Sequence, residues 1–140
     1  MAPRGPRPTL LLTLGLLAAC LALASGQAWA ELHKIFLKHH VDYPRPSPPF
    51  IGSYCDFVMR ERGLYGTQVN TFIHEPSQSI NSICLGNGTP LGGGLYQSKA
   101  FIPITTCRYR RQTGSYPNDE FDSRKIVIGC WNRLAVYFRE

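Results

Sequence analysis

The stretch Ala100-Phe101-Ile102-Pro103-Ile104-Thr105-Thr106-Cys107-Arg108-Tyr109-Arg110-Arg111 is rich in β-branched and aromatic residues, and it runs into the turn formers Thr113-Gly114-Ser115-Tyr116-Pro117-Asn118. A second β-rich stretch, Phe121 to Cys130, follows directly. Two such runs joined by a short connection of Gly, Pro, Ser and Asn predict an antiparallel hairpin. Leu134 to Phe138 predicts a last strand. Gln68 to His74 predicts an earlier one, setting Val69, Thr71 and Ile73 against Asn70, Phe72 and His74 on its two faces.

Upstream the period changes. Between Glu31 and His40, Leu32, Ile35 and Phe36 fall at helical spacing, His39 and His40 continue the stripe, and Pro44 ends it. Pro44, Pro46, Pro48 and Pro49 impose an extended connection. Gly52 to Arg62 predicts a second helix with Cys55, Val58 and Met59 on its buried face and Gly63 as a left-handed cap. Pro76 to Cys84 predicts a third, turning Ile80 and Ile83 inward. Leu85 to Gly94 carries Gly86, Gly88, Gly92, Gly93 and Gly94 and predicts an exposed, mobile loop, within which Asn87-Gly88-Thr89 is an N-glycosylation acceptor pattern. Helices precede most strands, with no βαβ alternation and no internal repeat. The fold class is therefore α+β around an antiparallel sheet.

The chain has 140 residues, 44% hydrophobic and 17% charged, a composition that excludes a disordered polyampholyte and a bundle of membrane spans. Fifteen Lys and Arg against nine Asp and Glu give +6, which favours an anionic partner without naming one. Arg4 and Arg7 precede an apolar run from Leu10 to Ala24 and the small residues Ser25, Gly26, Ala28 and Ala30, the order of a secretory signal peptide. Residues 1–30 read as that leader, with cleavage after Gly26 or after Ala30, and residues 31–140 as one secreted domain. Cleavage after Ala30 removes two Arg and Cys20, leaving 13 basic and 9 acidic side chains. The remaining cysteines, Cys55, Cys84, Cys107 and Cys130, form no close CxxC pair, so two disulfides are expected rather than a metal site. Spacing leaves all three connectivities open. Nothing in the pattern calls for a metal or a cofactor, and a monomer is expected.

Four landmarks in order carry a resemblance: His39-His40-Val41-Asp42-Tyr43-Pro44; Tyr54-Cys55-Asp56 with Met59-Arg60-Glu61-Arg62-Gly63-Leu64; Asn70-Thr71-Phe72-Ile73-His74-Glu75; and Ile104-Thr105-Thr106-Cys107. Together they resemble the pancreatic-type ribonuclease superfamily, and the Gly129-Cys130-Trp131 ending is more similar to its angiogenin-like and non-mammalian leukocyte members. The resemblance implies three short helices, a curved antiparallel sheet, and bridges joining Cys55 with Cys107 and Cys84 with Cys130. It also implies RNA cleavage by in-line attack of the ribose 2′-hydroxyl on its own phosphate. That reaction needs a base, an acid for the leaving oxygen and a cation at the phosphate.

Carried over onto this sequence, the base falls on His40, four residues beyond Phe36. The position of the family's lysine holds Thr67, and that of its second histidine holds Tyr137, within Val136-Tyr137-Phe138. A cysteine expected beside that lysine is Gly66, and its bridge partner after Tyr116-Pro117-Asn118 is Asp119. A whole bridge is thus lost without an orphan thiol, leaving the loop at position 67 without its tether. Losing a phosphate cation costs on the order of a hundredfold to a thousandfold. Losing a general acid costs roughly another hundredfold to ten-thousandfold.

The resemblance places His39 where members touch phosphate, Asn70 and Thr71 on the substrate-binding strand, and Phe138 beside the pyrimidine-binding threonine. His74 reads as structural. Arg108, Arg110 and Arg111, with Arg124 and Lys125 on the following strand, form a basic face suited to phosphates. Arg60 and Arg62 stand at a basic cluster of the angiogenins, but Glu61 interrupts it and a solvated helix face is the simpler reading. The expectation is a secreted binder of RNA or of cell-surface or microbial polyanions with catalysis impaired or lost, in host defence or growth signalling. The alternatives are a weak pyrimidine-preferring endoribonuclease with rewired acid and cation, and a receptor-binding secreted factor.

Overall fold

The computed structural model describes residues 16–17 and 28–140. Apart from residues 16–17 and 28–30, the expected leader lies outside the described residues. No helix among the described residues is long and apolar enough to cross a membrane.

Helix α1 includes residues 28–40. Its docked face differs from the one expected: Leu32 and Ile35 are exposed, while Phe36 is buried and His33, Leu37 and His40 are partly covered. The four covered residues are spaced 3, 1 and 3 apart, so they share one helical stripe. Leu32 and Ile35 were misassigned because apolar character outweighed the amphipathic histidines that make the contacts. Trp29 extends the same stripe and meets Trp131 edge to face, with centroids 5.4 Å apart.

Helix α2 spans Tyr54–Glu61 and buries Tyr54, Cys55, Val58 and Met59. Ser53, in extended backbone, caps it by accepting the Asp56 amide at 3.0 Å, and Gly63 leaves it with φ +68°, a conformation that favours glycine. Helix α3, Ser77–Asn81, continues into a 3₁₀ turn at Ser82–Cys84, and Ile80 and Ile83 point inward as expected.

Among the described residues seven strands form two antiparallel sheets: β1 (Val69–Ile73), β4 (Ile102–Arg108) and β5 (Asp119–Arg124) in the order β1-β4-β5, and β2 (Gly88–Gly92), β3 (Leu95–Ser98), β6 (Val127–Trp131) and β7 (Leu134–Phe138) in the order β2-β3-β6-β7. Two expectations are corrected here. The supposed loop Leu85 to Gly94 contributes β2, which pairs with β3 through Gly88↔Ser98 and Thr89↔Gln97. Gly88 is required by space, since a Cβ there would sit 1.9 Å from the Ile83 carbonyl oxygen. The run Phe121 to Cys130 is two strands in different sheets. Ser98 makes the break by donating its amide to the Ile126 carbonyl at 2.8 Å and accepting the Ile126 amide on its hydroxyl at 2.9 Å.

One buried cluster lies between α1, α3 and the four-stranded sheet, built on Phe36, Ile80, Ile83, Ile126, Ile128 and Phe138. The other lies under α2 and contains Tyr54, Met59, Phe72 and Tyr116. Each cluster contains cysteines that cross-link its elements: Cys55–Cys107 joins α2 to β4, and Cys84–Cys130 joins the 3₁₀ turn to β6. Bridges of this kind contribute about 2 to 5 kcal/mol each.

Candidate active site

His40 ends α1 beside the middle of β1, and its Nδ1 lies 2.9 Å from the Thr71 carbonyl oxygen. A carbonyl can only accept, so Nδ1 carries the proton and the lone pair of the neutral ring sits on Nε2. The ring stacks on Phe138 at 5.2 Å and tilts against Phe36 at 5.5 Å. Burial holds the His40 pKa below the ordinary 6.5, outweighing the Thr71 carbonyl and the Glu140 charge, which pull it up; the neighbouring His39 adds to the lowering. The result is a neutral, oriented imidazole able to accept a proton at Nε2.

Thr71 is fully buried, with its amide donating to Glu140 Oε1 at 3.0 Å and its hydroxyl to Glu140 Oε2 at 2.6 Å. The Thr106 hydroxyl lies 3.1 Å from that of Thr71. Asn70, on the opposite face of β1, donates from Nδ2 to the His39 carbonyl at 2.8 Å and so fixes the end of α1 against the strand. The His39 ring stands edge-on to His40 at 6.1 Å. His39, His40, Asn70, Thr71 and Phe138 are therefore brought together.

The other expected site residues are not joined to this group. Thr67 is exposed on the loop after α2, its amide donating to Leu64 and its carbonyl accepting the Tyr116 hydroxyl at 2.5 Å. Tyr137 is 51% exposed and lies opposite Gly129 in the β6–β7 pair. Arg110 and Arg111 were expected on a strand, but β4 ends at Arg108 and both stand exposed in the following turn, where Arg110 exchanges backbone hydrogen bonds with Ser115. Arg108 is engaged by Glu120 at 2.6 Å. Arg62 is not part of a solvated face: it pairs with Asp42 at 3.2 Å and donates to the Leu37 and Lys38 carbonyls, tying α2 to the C-terminal turn of α1.

The loop at position 67 is tethered after all. The Tyr116 hydroxyl accepts the Gly66 amide at 3.0 Å while donating to Thr67, and Tyr116 packs against Tyr65 and Tyr109. Asp119 accepts the Tyr54 amide at 3.1 Å and the Cys55 amide at 2.9 Å, so with Ser53 it satisfies the first three amides of α2. Glu140, Tyr116 and Asp119 were all missed as site or support residues. Only Asp119 carried a signal, as a good helix-capping type, and its helix lies 64 residues away in sequence.

A two-disulfide α+β domain with a helix-borne histidine seated on a strand threonine and a terminal-strand phenylalanine is the arrangement that the family resemblance implies. The sequence pattern of pancreatic ribonuclease matches residues 31–135. A ribonuclease of Chelydra serpentina is 38% identical over 109 residues, covering 74% of this chain and 92% of that protein. An angiogenin of Gallus gallus is 31% identical over 128 residues, covering 87% of each. The crystal structure of green turtle egg white ribonuclease superimposes with a TM-score of 0.69 at 35% identity, covering 78% of this chain and 97% of that one. The chain belongs to the pancreatic ribonuclease family.

Proposed function

We propose that this protein is secreted, binds RNA or a comparable polyanion at the His40 cleft and its basic surroundings, and has lost most or all catalysis. The observation that carries this reading is a half-complete site: His40 is oriented on Thr71 and Phe138, while Tyr137 and Thr67 stand where the family resemblance puts an acid and a cation. In the family reaction His40 Nε2 would take the 2′-hydroxyl proton. A phenol does not exchange its proton near neutral pH as an imidazole does, and a threonine hydroxyl brings no charge to the phosphate. The combined loss is about 10⁴ to 10⁷ in rate, or on the order of 5 to 10 kcal/mol of transition-state stabilisation. Glu140 adds to the case by occupying both hydrogen-bond donors of Thr71.

The deciding experiment is cleavage of a sensitive RNA substrate by the purified protein beside a His40→Ala control. Background cleavage by both, together with salt-sensitive RNA binding, supports the proposal. Robust cleavage that disappears in His40→Ala would establish a rewired ribonuclease instead. Absence of both cleavage and salt-sensitive binding would favour a receptor-binding factor.

A further inference from the structure

The Asn87-Gly88-Thr89 pattern takes no part in the His40 cleft, and the fold presents it to solvent. Asn87 precedes β2 and Thr89 lies within it, both exposed. The backbone there is fixed, with the Asn87 amide donating to the Ser82 carbonyl and its own carbonyl accepting the Lys99 amide, each at 3.1 Å. The side-chain Nδ2 donates to the Ser82 hydroxyl at 3.0 Å. A carboxamide nitrogen carries two protons, so linkage to a sugar still leaves one for Ser82. Beside Asn87 lies a groove of about 350 Å³, lined by the polar Glu75, Ser79, Ser82 and Lys99 and by the apolar Ile83 and Ile102. Hydrogen-bonding groups set among apolar ones suit an N-acetylhexosamine, which carries hydroxyls and an acetamide around an apolar face.

The surroundings favour a hydrophilic cover. The outer edge of β2 has no partner strand among the described residues, and Leu85 and Leu91 stand exposed on either side of the pattern. Strand β7, which carries Phe138 against His40, is at the opposite edge of the sheet, roughly 14 Å away across three strand spacings. We propose that Asn87 carries an N-linked glycan whose first N-acetylglucosamine lies in this groove. The proposal rests on the secreted reading, because the transferase works in the secretory lumen. Transfer is decided on the unfolded chain by the Asn-Gly-Thr pattern itself. What the fold contributes is a product it can keep: an exposed acceptor, a spare N–H and a groove at the linkage. In the transfer Nδ2 bonds to the anomeric carbon of a lipid-pyrophosphate-linked oligosaccharide, the bond from that carbon to the pyrophosphate oxygen breaks, and Nδ2 gives up one proton. Pro90, directly after the pattern, slows transfer, so occupied and bare chains are expected together.

The test is to express the full chain in a eukaryotic secretory host that keeps its N-glycans high in mannose, and to read the mass of the peptide containing Asn87 from the protein in the medium. The expected result is a glycopeptide that Thr89→Ala abolishes, Thr89→Ser keeps and Pro90→Ala makes more abundant. Only bare Asn87 in the secreted natural chain overturns the proposal and leaves secretion standing, whatever Pro90→Ala does. Retention in the cell with no glycan overturns both. A second arm compares amide exchange at Asn87 and Lys99 in the glycoprotein, in the form trimmed by an endoglycosidase to one N-acetylglucosamine, and in Thr89→Ala. Exchange should be slower in the first two by roughly three- to tenfold, the factor that one or two net hydrogen bonds supply. Equal exchange in all three would show that the sugar stands in solvent and would overturn its placement in the groove.

Discussion

Glu140 closes on Thr71 from the far end of the chain, one carboxylate oxygen on the threonine amide and the other on its hydroxyl, across 69 residues. A planar acceptor pair on a backbone donor and a hydroxyl is also what the O2 and N3 of a cytosine edge would offer. On the proposed reading, Glu140 and a bound base would compete for the same donors.

Removing that competitor should be visible in binding. Glu140→Ala, or deletion of Glu140, is expected to tighten binding of a pyrimidine nucleotide by roughly three- to tenfold, since hydrogen bonds to a charged group are worth about 1.5 to 3 kcal/mol before the discount for solvent exposure. Calorimetric titration with cytidine monophosphate checks it. Unchanged affinity would mean that Thr71 does not receive the base.

The noncovalent supports near α2 should be measurable in urea. Asp119→Ala removes the acceptor for two helix amides and is expected to cost about 1 to 2 kcal/mol. Tyr116→Phe removes the bonds to Gly66 and Thr67 and should cost about 1 to 3 kcal/mol, because it leaves partly buried backbone groups unpaired. Hydrogen exchange in residues 64–68 should accelerate in the second variant. Protection unchanged there would assign the loop's order to something other than Tyr116.

Stability should fall as the solution is acidified. Burial is the leading cause of a lowered pKa at both His40 and His74; at His74 the Asp42 backbone bond and charge oppose it and Arg45 adds to it. Between the folded values and the ordinary 6.5 the unfolded chain binds more protons, so unfolding free energy rises with pH through that window and levels off above it. Denaturation curves from about pH 5 to 8 should show this slope, and His74→Gln should flatten part of it. A profile falling with rising pH would contradict the burial argument.

On the proposed reading, restoring chemistry requires both a cation at position 67 and an acid at position 137. Thr67→Lys or Tyr137→His alone should give little cleavage, whereas the double variant should gain on the order of a hundredfold or more over either and lose that gain with His40→Ala. A cysteine pair at Gly66 and Asp119 is not needed to hold position 67, because Tyr116 already does so, and Asp119→Cys would remove a cap from α2. Substantial cleavage by either single variant would show that the other function is supplied elsewhere.

The parts of the fold legible in the sequence are those in which partners are near neighbours or periodicity is strong. Ser53 and Gly63 bracket α2 because capping and left-handed backbone are local demands, and Leu134 to Phe138 reads as a strand because it is a short run of β-forming residues. The division of Phe121 to Cys130 was not legible, since Ser98 makes the break from 28 residues away. Strand β2 was hidden because Gly88 and Pro90 are poor strand formers, kept there by the close approach of Ile83 and by pairing with β3. In the site, His40, Thr71 and Phe138 were reached through the family motif. Glu140 and Tyr116 act through contacts 69 and about 50 residues long that no local pattern encodes.

The Tyr116 and Asp119 contacts also divide the molecule by sensitivity to reductant. Thiol exchange can open Cys55–Cys107 and Cys84–Cys130, whereas the closure between residues 66–67 and 116 and the clamp of Asp119 on α2 contain no sulfur. A glutathione-rich compartment acts chemically on the first pair of constraints alone. A region that the family resemblance would have secured by a bridge is here secured by groups that thiol exchange does not cleave.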